Sequence, residues 1–258
     1  MAGYAWISLT TDYGLSDGFA ASCHGVIARI APAVRVIDIT HAVAPGDVPR
    51  AASVLAQTAP HLPPAVHVAV AGPGTLRPIG LRTPGGVLIG PDNGVLPWAA
   101  EALGGVETAV TLAEVDWFLP SVSGTLPGRD VYSPVAARIA AGAALTDAGP
   151  EIPLADVARL PDPVVATGDG WLEAEVTTID RFGNVQLAAP ASAIGTLEGR
   201  LIVGGVHAVR GITISDAPRG GLVVYVDSAG RVAVAVNGGR AAVVLSVVPG
   251  DLLRVARV

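Results

Sequence analysis

The stretch AVHVAVAGPGTLRP, residues 65–78, runs apolar except for one histidine and stops abruptly at a Gly-Pro-Gly turn, followed by Arg77. Such a run reads as a strand buried on both faces, which belongs in a parallel sheet rather than a half-solvated antiparallel one. A strand that ends this sharply reads either as one delivering a loop to a ligand or as one ending in a plain turn. Yet the loop carries no carboxylate, imidazole or thiol.

Working outward, the same texture repeats. YAWISL (residues 4–9) and VRVIDI (34–39) are further apolar strands, and GGVLIGP (85–91) is a fourth. Between them lie helical patterns. In DGFAASCHGVIARIAP, Phe19, Cys23, Val26, Ile27 and Ile30 share one face. In GDVPRAASVLAQTAPHL, Val48, Ala51, Ala52, Leu55 and Ala59 do the same. NGVLPWAAEAL reads as a third helix. Strand–helix alternation implies an α/β domain whose mostly parallel sheet is flanked by helices. At LPDPVVATGDG (160–170) the pattern changes to prolines and turn signals. Beyond it come short strands: WLEAEVTTID, RLIVGG, GLVVYVD, RVAVAV, AAVVLSV and LLRVARV. The expectation is an α/β domain over residues 1–163 and a smaller all-β, barrel-like domain over 164–258.

Composition narrows the function. The chain has 258 residues and a net charge of −6, and its 16 basic residues are all arginine. Without lysine there is no Schiff base and no P-loop lysine. The balance lacks the basic stripe of a nucleic-acid binder. No apolar run approaches the roughly 18 residues of a membrane span, and no signal peptide is visible, so the expected compartment is the cytoplasm. One cysteine, Cys23, excludes an internal disulfide and a multi-cysteine zinc site. The five histidines, at positions 24, 41, 61, 67 and 207, show no metal-ligand spacing, so no metal is expected. GxGxxG, Walker, HExxH and GxSxG motifs are absent.

Several residues have the chemistry of a site. Asp12 falls just past the first strand, in the crevice where open α/β sheets bind ligands. A carboxylate there accepts hydrogen bonds from sugar hydroxyls, or caps the next turn. Asp17 is placed to cap the first helix and Asp47 the second. His41, alone on a loop, reads as a structural group. Asp92 and Asn93 serve equally as helix caps or ligand contacts. Arg129 and Asp130 suggest an internal ion pair. Asp180, Phe182 and Asn184 suit an ammonium, a flat ring and a base edge, or an ordinary hairpin turn.

In their order, LTTDYGLSDGF, VIDITHAVAPGDVPRAA, GPDNGVL, GRDVYSPVAA, IDRFGNV and VDSAGRVAVAVNGGRAA resemble the S-adenosyl-L-methionine (SAM) hydroxide adenosyltransferase family, which also contains the fluorinase and chlorinase enzymes. The resemblance spans the chain from end to end. It implies an N-terminal α/β domain, a C-terminal β-barrel and a homotrimer with active sites shared between subunits. It implies a small nucleoside substrate, no cofactor, and attack at the ribose 5′ carbon with release of methionine. Position by position, Asp12 matches the carboxylate that holds the ribose hydroxyls and Asp180 the one near the methionine ammonium. Phe182 and Asn184 match the adenine side, Ser228 a methionine contact, and Gly238 the backbone that reads the adenine edge.

In the hydroxide-transferring members the loop after the third strand is Asp-Pro-Gly-x-Gly-Thr-x-Arg, and its Asp and Arg hold the attacking water together with a histidine from a His-Gly-Arg-Asp motif. Here Gly72 stands for the Asp, the loop is two residues shorter, and Pro127-Gly128 stands for His-Gly. Arg77 is the remaining catalytic candidate, with Gly72, Thr75 and Gly128 lining the substrate. The halogenating members' Tyr and Thr are missing too. His24 replaces a usual lysine, Ile214 an adenine-stacking aromatic, and Val236 a halogenase arginine. The resemblance therefore implies a slow or atypical SAM hydrolase forming adenosine. Its alternatives are a non-catalytic binder of adenosyl compounds and an adenosyltransferase using another nucleophile such as halide.

Overall fold

The computed structural model describes residues 3–73, 76–195, 197 and 199–258. Thr75 lies outside the described residues. The chain divides into two compact units, residues 1–160 and 161–258.

The first unit holds a six-stranded sheet in the order β2-β1-β3-β5-β4-β6. Its strands are β1 (Trp6–Thr11), β2 (Arg35–Thr40), β3 (Ala65–Val70), β4 (Pro78–Thr83), β5 (Gly86–Pro91) and β6 (Thr108–Thr111). β1, β2, β3 and β5 are parallel, and β4 runs antiparallel to both β5 and β6. Its helices are α1 (Phe19–Ile30), α2 (Val48–Thr58), α3 (Pro97–Ala102) and α4 (Ser133–Ala140).

The apolar run of β3 is explained by two separate cores. Val66, Val68 and Val70 pack with α1 and α4 through Cys23, Ile27, Val135 and Ile139. Ala69 and Ala71, pointing the other way, pack with α2 and α3 through Ala51, Leu55, Ala99 and Ala100. A strand covered on both faces has no position left for an exposed polar side chain. The expected fourth strand is in fact β5. β4 (PIGLRT), opening on proline and holding glycine and arginine, and the four-residue β6 escaped the sequence pattern.

The second unit contains β7 (Val165–Gly168), β8 (Trp171–Ile179), β9 (Val185–Pro190), β10 (Arg200–Val203), β11 (Val206–Arg210), β12 (Leu222–Val226), β13 (Arg231–Val236) and β14 (Leu252–Arg257). Pairing of β14 with β8 closes seven of these into a barrel, with β7 an added strand on β8. Leu172, Ala174 and Val176 of β8 alternate into the interior, where they meet Val185, Leu187, Val232 and Val234. One expected strand is a helix. AAVVL forms α5 (Ala241–Leu245), which Ser246 ends in the left-handed conformation. The Ala242 N–H donates to the Gly183 carbonyl at 3.0 Å, and Val243 is exposed, so no neighbouring strand competes for this backbone.

Candidate functional site

α1 packs on one face of the sheet and α2 on the other, while β2 and β3 flank β1 on opposite sides. The chain thus reverses its direction of winding at β1. Between the carboxyl ends of β1 and β3 lies the crevice that such a switch leaves open. Asp12 follows β1 and Gly72 follows β3.

Oδ2 of Asp12 accepts from the Gly46 N–H and the Gly72 N–H, each at 3.0 Å. One carboxylate oxygen therefore gathers the loop before α2 and the loop after β3. Oδ1 accepts from none of the described residues, and the side chain is half-buried. A carboxylate with one fixed and one available oxygen is suited to accept a hydroxyl. Gly72 has φ +88°, a conformation that favours glycine. Asn93 braces the same loop, its Nδ2 donating to the Ala71 carbonyl at 2.8 Å while its Oδ1 accepts from the Val95 N–H at 3.2 Å.

Arg77 is held by protein groups. Its guanidinium forms an ion pair with the nearly buried Asp92, donating from Nε at 3.0 Å and also from Nη2, and Nη2 reaches the Asp156 carbonyl at 2.7 Å. Asp92 is completed by the Ala158 N–H at 2.8 Å. Nη1 donates to none of the described residues.

Gly128 begins a π-helical turn, Gly128–Tyr132. Its N–H donates to the Tyr13 phenol oxygen at 3.2 Å, which places the residue after Asp12 against the turn. Burial, and the negative charge of neighbouring groups, push the Tyr13 phenol far above its usual range, so it stays protonated. The expected ion pair forms: Arg129 Nε donates to Asp130 at 2.6 Å, and Ser123 adds two further hydrogen bonds. Burial opposes the Asp130 charge, but these partners outweigh it and hold the carboxyl below its usual range. Asp47 caps α2 through the Arg50 N–H, whereas α1 starts at Gly18 without a side-chain cap, so Asp17 does not play that part.

Three residues that looked scattered in the sequence come together beside this loop. His24 of α1, Asp38 of β2 and His41 offer ligand atoms within 4.8 Å of one another. His41, expected to be a structural group, has a protein atom close to each ring nitrogen, with Asp38 Oδ1 3.0 Å from Nε2. Its Nδ1 meets Thr11 Oγ1 at 2.8 Å, while its buried Nε2 has no hydrogen bond.

In the second unit Asp180 organises its own turn. Oδ1 accepts from the Phe182 and Asn184 N–H groups at 2.8 and 2.9 Å, and Oδ2 from Asn184 Nδ2 at 2.7 Å. Phe182 is 67% exposed. The turn leads into β9, which is registered so that Val185 faces Val234; the turn therefore lies toward the end of β13 that carries Gly238. Ser228 belongs to the turn at the opposite end of β13, between Asp227 and Arg231.

Residues not picked out from the sequence link the two ends on the outer face of the barrel. Tyr225 faces Ala233, which faces Gln186, and Gln186 Nε2 donates to Asp227 Oδ2 at 2.6 Å. Burial, Asp227 and Asp180 together raise the Tyr225 phenol. Asp180 and Asp227 thus bear on one tyrosine and give this face an anionic character. Ile214 and Tyr225 both pack against the small cluster of Ala217, Val223 and Ala235.

Comparison with known proteins settles the family. Residues 7–149 match the SAM hydroxide adenosyltransferase N-terminal domain and residues 174–254 the C-terminal domain. The chain belongs to the SAM hydroxide adenosyltransferase family. Within it, an (R)-S-adenosyl-L-methionine hydrolase of Salinispora arenicola is 58% identical over 99% of both chains. A protein of the same name from Salinispora tropica is 56% identical over 99% of both. A solved structure, described as an uncharacterized conserved protein from Thermotoga maritima, superposes with a TM-score of 0.90 at 32% identity, covering 97% of this chain and all of that one. None of the helices among the described residues is long and apolar enough to cross a membrane.

Proposed function

We propose that this chain is a SAM hydrolase: water displaces methionine at the ribose 5′ carbon and yields adenosine, methionine and a proton. The observation that carries the reading is the Asp12 carboxylate at the switch point, with Oδ2 fixed by two backbone N–H groups and Oδ1 available to the ribose diol. The (R)-SAM hydrolase name of relatives at 58% and 56% identity supports it. In this reading Asp180, joined by Asp227, faces the methionine ammonium. Phe182, Asn184 and Gly238 border the adenine, and Ser228 contacts the methionine. The chain works as a cytoplasmic homotrimer whose pockets are shared between subunits, with Gly72, Thr75 and Gly128 on the nucleophile side.

The sulfonium leaving group departs as a neutral thioether, so the reaction needs no acid for it and no cofactor. What the protein contributes is placement of a water in line with the scissile bond. Arg77 orients that water through Nη1 and takes no proton, since guanidinium is donor-only. The proton passes to solvent. General-base help is typically worth about 10²–10⁴ in rate, so turnover without it is slow.

Chromatography of SAM incubated with the protein tests this. Adenosine and methionine in equal amounts, diminished in Arg77→Ala, are expected. The engagement of Arg77 by Asp92 favours a second reading, a binder of adenosyl compounds, which tight binding without any product would establish. A 5′-halo nucleoside formed in the presence of halide would replace water by halide as the nucleophile.

A further inference from the structure

We propose that His24, Asp38 and His41 form a binding site for a divalent transition cation of the zinc type. His24 Nε2 lies 2.8 Å and His41 Nε2 3.0 Å from the same Asp38 oxygen, Oδ1. Two imidazoles and one carboxylate are a donor set such ions favour, with a remaining position for water.

The sharpest indication is His41. Its side chain is 3% exposed, and its Nε2 is buried, aimed at the cluster and without a hydrogen bond despite the short approach to Asp38. A buried ring nitrogen in that condition is costly unless something else takes its lone pair. Closeness without hydrogen-bond alignment is the arrangement of atoms that converge on a common centre. On the far side of the ring, Nδ1 meets Thr11 Oγ1 at 2.8 Å. A hydrogen-bond acceptor on the second nitrogen is the usual outer partner of a metal-bound histidine, and with Thr11 accepting from Nδ1, Nε2 is left to ligate.

Spacing agrees. Tetrahedral zinc with arms of about 2.0–2.1 Å separates its ligand atoms by roughly 3.3 Å. Opening the two separations from Asp38 by a few tenths of an ångström reaches that figure, and the two imidazole nitrogens already lie within 4.8 Å of each other. His24 and Asp38 can move outward, since their side chains are 37% and 43% exposed. The ion would pin α1 to β2 and hold the Thr11–His41 contact, next to Asp12. Because the site depends on none of the residues assigned to SAM, it stands or falls apart from the hydrolase reading.

Tag-free protein, stripped with chelator and titrated with Zn²⁺ or Co²⁺, tests the site. One ion per chain is expected, with a Co²⁺ ligand-field band in the visible that Zn²⁺ abolishes. Asp38→Asn and His24→Gln, both at exposed positions, should each weaken binding at least tenfold. Thr11→Val should weaken it by about 10–100-fold, and His207→Gln should leave it unchanged. Zn²⁺ should raise the thermal midpoint of the wild type and not that of Asp38→Asn. Absence of both the Co²⁺ band and the midpoint shift overturns the proposal. So does binding that persists in the Asp38→Asn/His24→Gln double variant.

Discussion

The Gly72 N–H donates to Oδ2 of Asp12 at 3.0 Å across 60 residues of sequence. The loop after β3 therefore closes on the carboxylate that follows β1 by its backbone alone. Gly72 does so at the position where the family resemblance implies an aspartate. With φ +88°, Gly72 turns its N–H inward, and a Cβ there would meet Val48 Cγ2 at 3.2 Å and Asn93 Nδ2 at 3.3 Å.

Gly72→Asp should consequently lower stability by about 1–3 kcal/mol, the scale of a non-glycine residue forced into a disfavoured conformation. Adenosine formation should not increase, because the new carboxylate sits on a shorter, strained loop next to Asp12. Urea denaturation and the chromatographic assay measure both. An unchanged midpoint with faster turnover would show that the loop relaxes into a different path.

Asp12→Asn keeps an acceptor for the Gly46 and Gly72 N–H groups but removes the charge. Charge-assisted hydrogen bonds contribute about 1.5–3 kcal/mol, so affinity for SAM should fall by roughly 10–150-fold. The thermal midpoint should change little. Calorimetric titration with SAM checks this, and unaltered affinity would detach the ribose from Asp12.

Much of this architecture is legible in the sequence, for identifiable reasons. β3 announces itself because both its faces are buried, and β8 because its alternation survives over nine residues. β4 hides because its proline, glycine and arginine erase both signals. α5 misleads because Val243 and Val244 favour strands, while the decisive partner, the Gly183 carbonyl, is remote in sequence. Asp12 and Asp180 are readable from their places beside strand ends. The His24–Asp38–His41 cluster is not, since its members sit 14 and 3 residues apart on a helix, a strand and a loop that only the sheet brings together. Asp227 and Tyr225 are hidden in the same way by cross-strand register.

His67 makes stability depend on pH. It lies in β3, 1% exposed, with Nδ1 against Ser8 Oγ at 2.7 Å. Burial depresses its pKa to about 4, from about 6.5 in an unfolded chain. Between these values the unfolded chain binds a proton that the folded one refuses. The contribution is intact above about pH 6.5 and is lost as pH falls toward 4, amounting to about 3 kcal/mol at the low end. Urea midpoints across that interval should fall more steeply for the wild type than for His67→Asn, by the equivalent of one proton. Parallel profiles would mean that His67 is charged in the folded protein.

Gly128 and Tyr13 should show strong energetic coupling. A Cβ at Gly128 would lie 2.4 Å from the Tyr13 phenol oxygen and 2.9 Å from its ring, too close for either to remain in place. Tyr13 packs edge-on against Phe19 and against the core cluster and directly follows Asp12, so displacing it disturbs both the core and the Asp12 carboxylate. Gly128→Ala alone should destabilise the fold by about 1–3 kcal/mol, as overpacking does, and should weaken SAM binding. Tyr13→Phe removes the oxygen that collides and the acceptor of the Gly128 N–H, whose loss costs about 1 kcal/mol. In the double variant the first clash is gone, so the two costs should not add. Denaturation of all four proteins gives the interaction energy directly, and a rescue of about 0.5–3 kcal/mol is expected. SAM affinity should recover in part, because the ring contact at 2.9 Å remains after the oxygen is gone. Strict additivity in stability would show that the π-helical turn yields instead of Tyr13, and Gly128 would then influence the site by a route other than the tyrosine.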